Sequence, residues 1–278
     1  MITGIVGLGL IGGSLAKAIR ANTENTVLGC DINESVVLKA RVIEAIDDEL
    51  TAERVGECDL LIIALYPAKT VEWVKSNCEN IRKDAIVIDC CGVKSPVCAP
   101  LFPLAKEHGF TFVGAHPMAG LEFSGFEHSQ GALFENASMI LVPGPDTDIA
   151  ALHTLKALFT RIGFSHIQMA GADEHDVIIA CTSQLAHIVS SAYVKSGTAS
   201  RFRGFSAGSF KDMTRVARLN PEMWTELFMD NRENLVREIA ELSAHLEEYA
   251  AALQDCDRNA MYKLLEDGDR IKKSLSAD

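Results

Sequence analysis

Ile2-Thr3-Gly4-Ile5-Val6-Gly7-Leu8-Gly9-Leu10-Ile11-Gly12 is a short apolar run that breaks into a glycine turn, and Ser14 to Ala21 follows with apolar residues at helical spacing. A second apolar run, Val27-Leu28-Gly29-Cys30, ends on Asp31. Strand, glycine turn, helix, strand and acid, in that order, make the βαβ unit that binds a dinucleotide. Gly7 permits the tight turn. Gly9 lets backbone N–H groups approach a pyrophosphate at the positive end of the following helix. Gly12 lets that helix pack close to the strand. The turn Gly7, Gly9, Leu10, Ile11 and Gly12 is thus the expected cofactor cradle. Asp31 lies 19 residues past Gly12. It can accept hydrogen bonds from a ribose diol and repels a 2′-phosphate, so the expected cofactor is NAD.

Outward from this unit, strands and helices alternate. Leu60 to Ala64 is a continuous apolar run, as expected of a strand buried on both faces of a parallel sheet. Further strands are expected over 85–89, 110–115, 138–143 and 164–169. Helices are expected over 34–45, 69–77, 95–107 and 148–162, with Asn33 capping the first of these and Pro96 in the first turn of the third. The fold class is α/β: an N-terminal Rossmann-type, mostly parallel, doubly wound sheet. Ligands of such sheets bind outside the carboxyl ends of the strands. That rule selects Gly7 to Gly12, the Asp31 loop, Leu65 and Tyr66 along the dinucleotide, and two loops near the reacting ring. These last are Cys90 to Lys94, which contains Gly92, and His116 to Gly120.

His116 is the candidate for chemistry. It follows a buried strand, is held by Pro117, and offers an imidazole whose ordinary pKa is near neutral. It can accept a proton from a hydroxyl as hydride leaves the same carbon. The bland alternative is a satisfied histidine at a strand end. His108, His128, His153, His166 and His245 have no comparable context.

The alternation of strands stops near Gly171, so residues 1–170 are expected to form a dinucleotide-binding domain and residues 171–278 an all-α C-terminal domain for substrate and dimerisation. Ala172 to Lys195 reads as one helix, with Asp173, Glu174 and Asp176 in a first turn that suits acids. Ser183 and His187, four apart, share a face with Ile179 and Ser190. Their bland reading is ordinary helix packing. A loop with Arg201, Arg203, Gly204 and Gly208 precedes a short helix from Ser209 to about Leu219. There Lys211 and Arg215 are again four apart, two cations that suit a dicarboxylate or else form a solvated face. Asn220-Pro221 caps a helix expected to run to about Leu253, roughly 50 Å at 1.5 Å per residue. So long an amphipathic helix suits a partner subunit, so a homodimer is expected. Asp257 is a candidate cap for a last helix ending near Ser274.

The 278 residues are 48% apolar, enough for a sizeable core. A net charge of −12 argues against nucleic acid or an acidic membrane surface as partner, and leaves a small anionic substrate open. No apolar run reaches the roughly 18 residues of a membrane span, and the opening strand leads to the expectation that no signal peptide is present. The eight cysteines are scattered without zinc-type spacing, which suggests free thiols in a reducing cytoplasm and no metal.

The motifs together resemble one family. His116-Pro117-Met118-Ala119-Gly120 with Glu122-x-Ser124-Gly125 resembles the HPMAG…SG motif of the prephenate dehydrogenase (TyrA) family. Ser183-x-x-x-His187, Phe210-Lys211-Asp212-x-Thr214-Arg215 and Asn220-Pro221-x-Met223-Trp224 resemble its helix motif, its FKDxTR motif and its PxMW motif, in the family's order. The resemblance implies NAD-dependent oxidation and decarboxylation of prephenate to 4-hydroxyphenylpyruvate for tyrosine biosynthesis. It implies that His116 hydrogen-bonds the C4 hydroxyl, that Arg215 binds a carboxylate, and that Ser183, His187, Lys211 and Trp224 belong to the substrate site. Two departures stand out: Gly92 where members often carry serine, and Gln184 where many carry a first histidine. They leave the choice between prephenate and its amino analogue arogenate open. The chain's end leads to the expectation that an appended regulatory domain and a fused chorismate mutase are absent. A hydroxy-acid dehydrogenase of similar build and a non-catalytic dinucleotide sensor are the rival readings; neither explains His116, Arg215 and the Ser183/His187 face together.

Overall fold

A computed structural model describes residues 1–206 and 208–275; Ala207, within the expected 197–208 loop, lies outside the described residues. The chain forms two compact units, Met1–Asn231 and Arg232–Asp278.

The first unit is built on one eight-stranded sheet in the order β3-β2-β1-β4-β5-β6-β7-β8. The strands are β1 (Ile2–Val6), β2 (Thr26–Cys30), β3 (Asp48–Glu49), β4 (Leu60–Ile63), β5 (Ile86–Asp89), β6 (Thr111–Pro117), β7 (Ser138–Pro143) and β8 (His166–Met169). Neighbours pair in parallel except β6 and β7, which are antiparallel. The doubly wound α/β expectation therefore holds. The two-residue β3 is an addition, too short to carry an apolar pattern.

Each inner strand sends alternate side chains to opposite faces. Ile5, Ile62, Ile88 and Val113 enter one core with Leu15, Ile19 and Phe159. Val6, Leu61, Ile63, Val87 and Phe112 enter the other with Val74 and Leu101. Both faces are covered, which is why Leu60–Ile63 is apolar throughout. The covering helices are α1 (Leu10–Asn22), α2 (Glu34–Val42), α3 (Pro67–Asn77), α4 (Ser95–His108) and α5 (Ile149–Arg161). Asn33 caps α2 by accepting from the Ser35 N–H, as expected.

The expected helix 172–195 proves to be three pieces: α6 (Ala172–Ile179), a π-helical stretch (Ala180–Leu185) and α7 (Ala186–Tyr193). The π stretch holds Gln184 buried, with its Nε2 donating to the Leu227 carbonyl at 3.2 Å and its Oε1 accepting from Asn231 Nδ2 at 2.9 Å. α8 (Ser209–Thr214) is shorter than expected and ends with Arg215 as its cap. Its Phe210 stacks on Phe202 and lies against Tyr193 of α7.

The single helix expected from Pro221 to Leu253 is corrected to two, α9 (Pro221–Asp230) and α10 (Arg232–Gln254). The break is at Asn231, whose side-chain amide donates to the Asp176 carbonyl at 2.8 Å as well as to Gln184. These bonds pull the residue to φ −114°, ψ 24°, out of helical geometry. The span of about 50 Å therefore does not exist; α10 alone is roughly 35 Å. In the second unit, α10 and α11 (Arg258–Leu275) form a helical hairpin, with Tyr249 Oη donating to the Leu264 carbonyl. Asp257 caps α11 through the Asn259 and Ala260 N–H groups, as expected. Leu246 and Leu253 of α10 and Tyr262, Leu265 and Leu275 of α11 are exposed.

Candidate active site

The chain steps outward from β1 to β2 and β3, then returns to β4 on the other side of β1. The crevice at this reversal opens at the carboxyl ends of β1 and β4, where a dinucleotide is expected. Gly7 has φ +88°, and a Cβ there would lie 2.6 Å from the Ala64 carbonyl oxygen. A Cβ on Gly12 would lie 1.9 Å from the Gly7 carbonyl oxygen. A Cβ on Gly9, by contrast, would meet nothing within 4 Å, and no side chain caps the α1 N-terminus that begins at Leu10 and Ile11. The cradle is thus closed around Gly7 and Gly12 and open at Gly9, with uncapped first-turn N–H groups. These features fit a bound pyrophosphate. Asp31 accepts from the Leu8 N–H at 2.8 Å and the Asn33 N–H at 2.9 Å. It ties the glycine turn to the end of β2. Leu65 lies against Gly7, and Tyr66 caps α3.

At the far end of the crevice a buried ion pair sets the backbone. Lys94, fully buried, contacts Asp89 Oδ2 and donates to the Ala115 carbonyl at 2.5 Å. Asp89 in turn accepts from the Cys91 and Ala115 N–H groups at 2.9 and 3.0 Å. Burial pulls the Lys94 ammonium down, and the Asp89 carboxylate more than offsets this, holding it charged above its ordinary value. One ion pair thus locks together the loop that carries Gly92 and the strand residue before His116.

His116 is a correction in detail: it lies inside β6 rather than after it, opposite Ile140 of β7, because the antiparallel ladder extends past the expected strand end. Its Nδ1 is 2.9 Å from Nε2 of His175, and His175 Nδ1 is 2.8 Å from Asp176 Oδ1. Its Nε2 is 3.9 Å from where a Cβ on Gly92 would stand, and Leu227 is 3.4 Å from that same point. Burial pushes the His116 imidazole well below its ordinary 6.5; positive charge nearby, that of Lys94 included, adds to this and Asp176 opposes it. The side chain is held neutral, the form that can take a proton.

His175 and Asp176 were missed by sequence reasoning. Asp176 reads there as an acid in its own helix's first turn, but its carboxylate crosses to α4 and accepts from the Lys94 N–H at 2.7 Å and the Ser95 N–H at 2.8 Å. Asp173 joins it, accepting from Ser95 Oγ at 2.9 Å. Only the adjacent His-Asp pair could have signalled the arrangement.

The helical residues gather on one side. The His187 ring packs against Trp224 at a tilt of 33° with ring centroids 4.1 Å apart, and Trp224 against Phe228 at a tilt of 46° and 5.2 Å. His187 Nδ1 bonds the Ser183 carbonyl at 2.8 Å, so it is the Ser183 backbone that serves the pair. Burial pushes His187 below its ordinary value; the Ser183 bond opposes this and the nearby Arg215 charge reinforces it. Arg215 and Lys211 are exposed. The loop after His116 folds back on α1, where Lys17 Nζ donates to Ser129 and Ser14 Oγ accepts the Gln130 N–H. Its Phe123 ring lies beneath the Arg218 guanidinium at 5.9 Å. Gln184 faces the α9 packing described above, so that departure is met by Leu227 and Asn231.

Residues 15–168 match the family model described as prephenate dehydrogenase, nucleotide-binding domain, and residues 171–267 match that described as prephenate dehydrogenase, dimerization domain. A prephenate dehydrogenase of Bacillus subtilis is 31% identical over 260 residues, 88% of this chain and 70% of that protein. Among solved structures, Aquifex aeolicus prephenate dehydrogenase in complex with hydroxyphenyl propionate and NAD+ is 29% identical with a TM-score of 0.86, covering 100% of this chain and 98% of that one. Synechocystis arogenate dehydrogenase is 26% identical with a TM-score of 0.83, covering 98% and 100%.

Proposed function

The chain belongs to the prephenate dehydrogenase family, and from that membership we propose that it oxidises prephenate with NAD, with loss of CO2, to give 4-hydroxyphenylpyruvate for tyrosine biosynthesis. The observation that carries this reading is a neutral histidine, His116, whose Nε2 faces the Gly92 loop at the carboxyl end of the sheet.

When bound, NAD supplies the hydride acceptor, and Gly7, Gly9, Leu10, Ile11, Gly12, Asp31, Leu65, Tyr66 and Gly92 are the residues we assign to it. His116 Nε2 accepts the proton of the C4 hydroxyl as hydride leaves C4. Departure of the ring carboxylate as CO2 returns its bonding pair to the ring, which becomes aromatic. The phenolate oxygen then takes the proton back from His116. One hydride and one CO2 leave the substrate, with no net proton consumed. Arg215 and Lys211 supply positive charge for a carboxylate. Ser183, His187 and Trp224 wall the ring side.

In this reading residues 1–170 bind the dinucleotide and residues 171–278 complete the substrate site and join two subunits. The exposed apolar side chains of α10 and α11, and the dimerization-domain match, support a homodimer. The eight cysteines, scattered and without zinc-type spacing, support a cytoplasmic setting.

NADH formation, measured with prephenate and then with arogenate, tests the assignment. Turnover of prephenate is expected. Turnover of arogenate alone moves the substrate to the amino analogue, and failure with both overturns the reading.

A further inference from the structure

The hydrogen-bond chain behind His116 has a direction that its chemistry dictates. Asp176 receives two backbone N–H groups, from Lys94 and Ser95, which can only donate. Burial raises the Asp176 carboxyl, and the bonds from His175, Ser95 and Lys94 more than offset this and hold it below its ordinary value. An ionised carboxylate only accepts. The 2.8 Å contact therefore needs the proton on His175 Nδ1. In a neutral imidazole the other nitrogen is then a lone pair. His175 Nε2 must accept, and the 2.9 Å contact needs the proton on His116 Nδ1. What remains on His116 Nε2 is a lone pair.

From this we propose that His175 and Asp176 are positioning residues that hold His116 in its Nδ1–H tautomer, so that Nε2 is committed to accepting the substrate proton. The inference rests on the reading of His116 as the base. His175 is about 1% exposed and its ring meets that of His116 edge-on at 5.2 Å, so neither ring turns without the other being displaced. The same carboxylate caps α4, the helix that follows the Gly92 loop. The base in the first family-model region is thus oriented by a pair from the second. Proton transfer leaves the chain intact: protonated His116 still donates from Nδ1 to His175, and the relay itself moves no proton.

The test is the tautomer itself. Protein with ¹⁵N-labelled histidine is examined by long-range ¹H–¹⁵N spectra without substrate, the signals being assigned with His116→Asn and His175→Gln. Both rings are expected to show protonated Nδ1 and bare Nε2. His175→Gln, whose amide oxygen can accept from His116 Nδ1, is expected to keep that tautomer and most of kcat. His175→Phe, which cannot accept, is expected to release it and lower kcat by about tenfold or more, since a base in the wrong tautomer loses up to about 10⁴, with KM for NAD within about twofold. A wild-type His116 protonated on Nε2 overturns the proposal, as does a Phe variant with unchanged tautomer and kcat. The spectrum needs no turnover, so a failed substrate assignment and a failed relay give different results.

Discussion

Glu226 of α9 accepts a hydrogen bond from the Ala68 N–H at 2.7 Å, across 158 residues of chain. The helix that carries Trp224 thereby occupies the N-terminus of α3, next to Tyr66, one of the residues proposed to hold the dinucleotide. A carboxylate at a helix N-terminus contributes about 0.3–1 kcal/mol when exposed. Glu226→Ala is expected to raise KM for NAD by about two- to fivefold, with kcat changed less. Initial-rate kinetics with varied NAD check this, and an unchanged KM would separate α9 from the cofactor side.

His116→Asn removes the base while keeping a polar side chain. The expected loss in kcat is about 10²–10⁴-fold, with little change in KM for prephenate. Steady-state kinetics on the purified variant decide it, and an unaltered kcat takes His116 out of the mechanism.

Arg215→Ala removes a positive charge that acts on His187. KM for prephenate is expected to rise by about tenfold to a hundredfold, as when a charged hydrogen bond of about 1.5–3 kcal/mol is lost. A variant that loses kcat alone would contradict a binding role.

The depressed His116 pKa gives a pH prediction. The folded imidazole stays neutral well below 6.5, so the acid limb of kcat/KM assigned to this group lies below 6.5. Unfolded chains bind this proton near 6.5 and the folded chain does not, so the unfolded state carries more protons below that pH. The contribution of His116 to stability is therefore complete above about pH 6.5 and declines on acidification through it. A pH–rate profile and denaturant titrations across about pH 5 to 8 measure both; a His116→Asn variant with the same stability slope would refute the assignment.

Gly12→Ala places a carbon 1.9 Å from the Gly7 carbonyl oxygen, a backbone atom that cannot step aside alone. The variant is expected to lose about 1–3 kcal/mol of stability and to bind NAD at least tenfold more weakly. Thermal unfolding and cofactor titration test it; wild-type NAD affinity would remove Gly12 from the cradle.

The sheet was legible because strands buried on both faces must be largely apolar, and Leu60–Ile63 and the run Ile86, Val87 and Ile88 announce themselves locally. The glycine cradle and His116 were legible because their chemistry is concentrated in a few consecutive residues. His175 and Asp176 were not, because their partners are 59 and 82 residues away in the chain. Local reading gave Asp176 to its own helix dipole, a use every early helical acid can claim. The break at Asn231 escaped for the same reason. Apolar spacing continues straight through it, and only the side-chain bonds to Asp176 and Gln184 reveal why the helix stops.

The π-helical stretch Ala180–Leu185 has a consequence for how the chain tolerates change in length. A π turn holds roughly one residue more than an α turn. Deleting one residue there is expected to restore a regular α-helix, and each residue of such a helix turns the next by roughly 100°. Everything after the deletion would keep nearly its present phase about the helix axis, because the π turn has already absorbed the extra residue. The helix would survive with His187 still on Trp224, so the aromatic wall tolerates here a one-residue shortening that in a regular α-helical turn would swing it away.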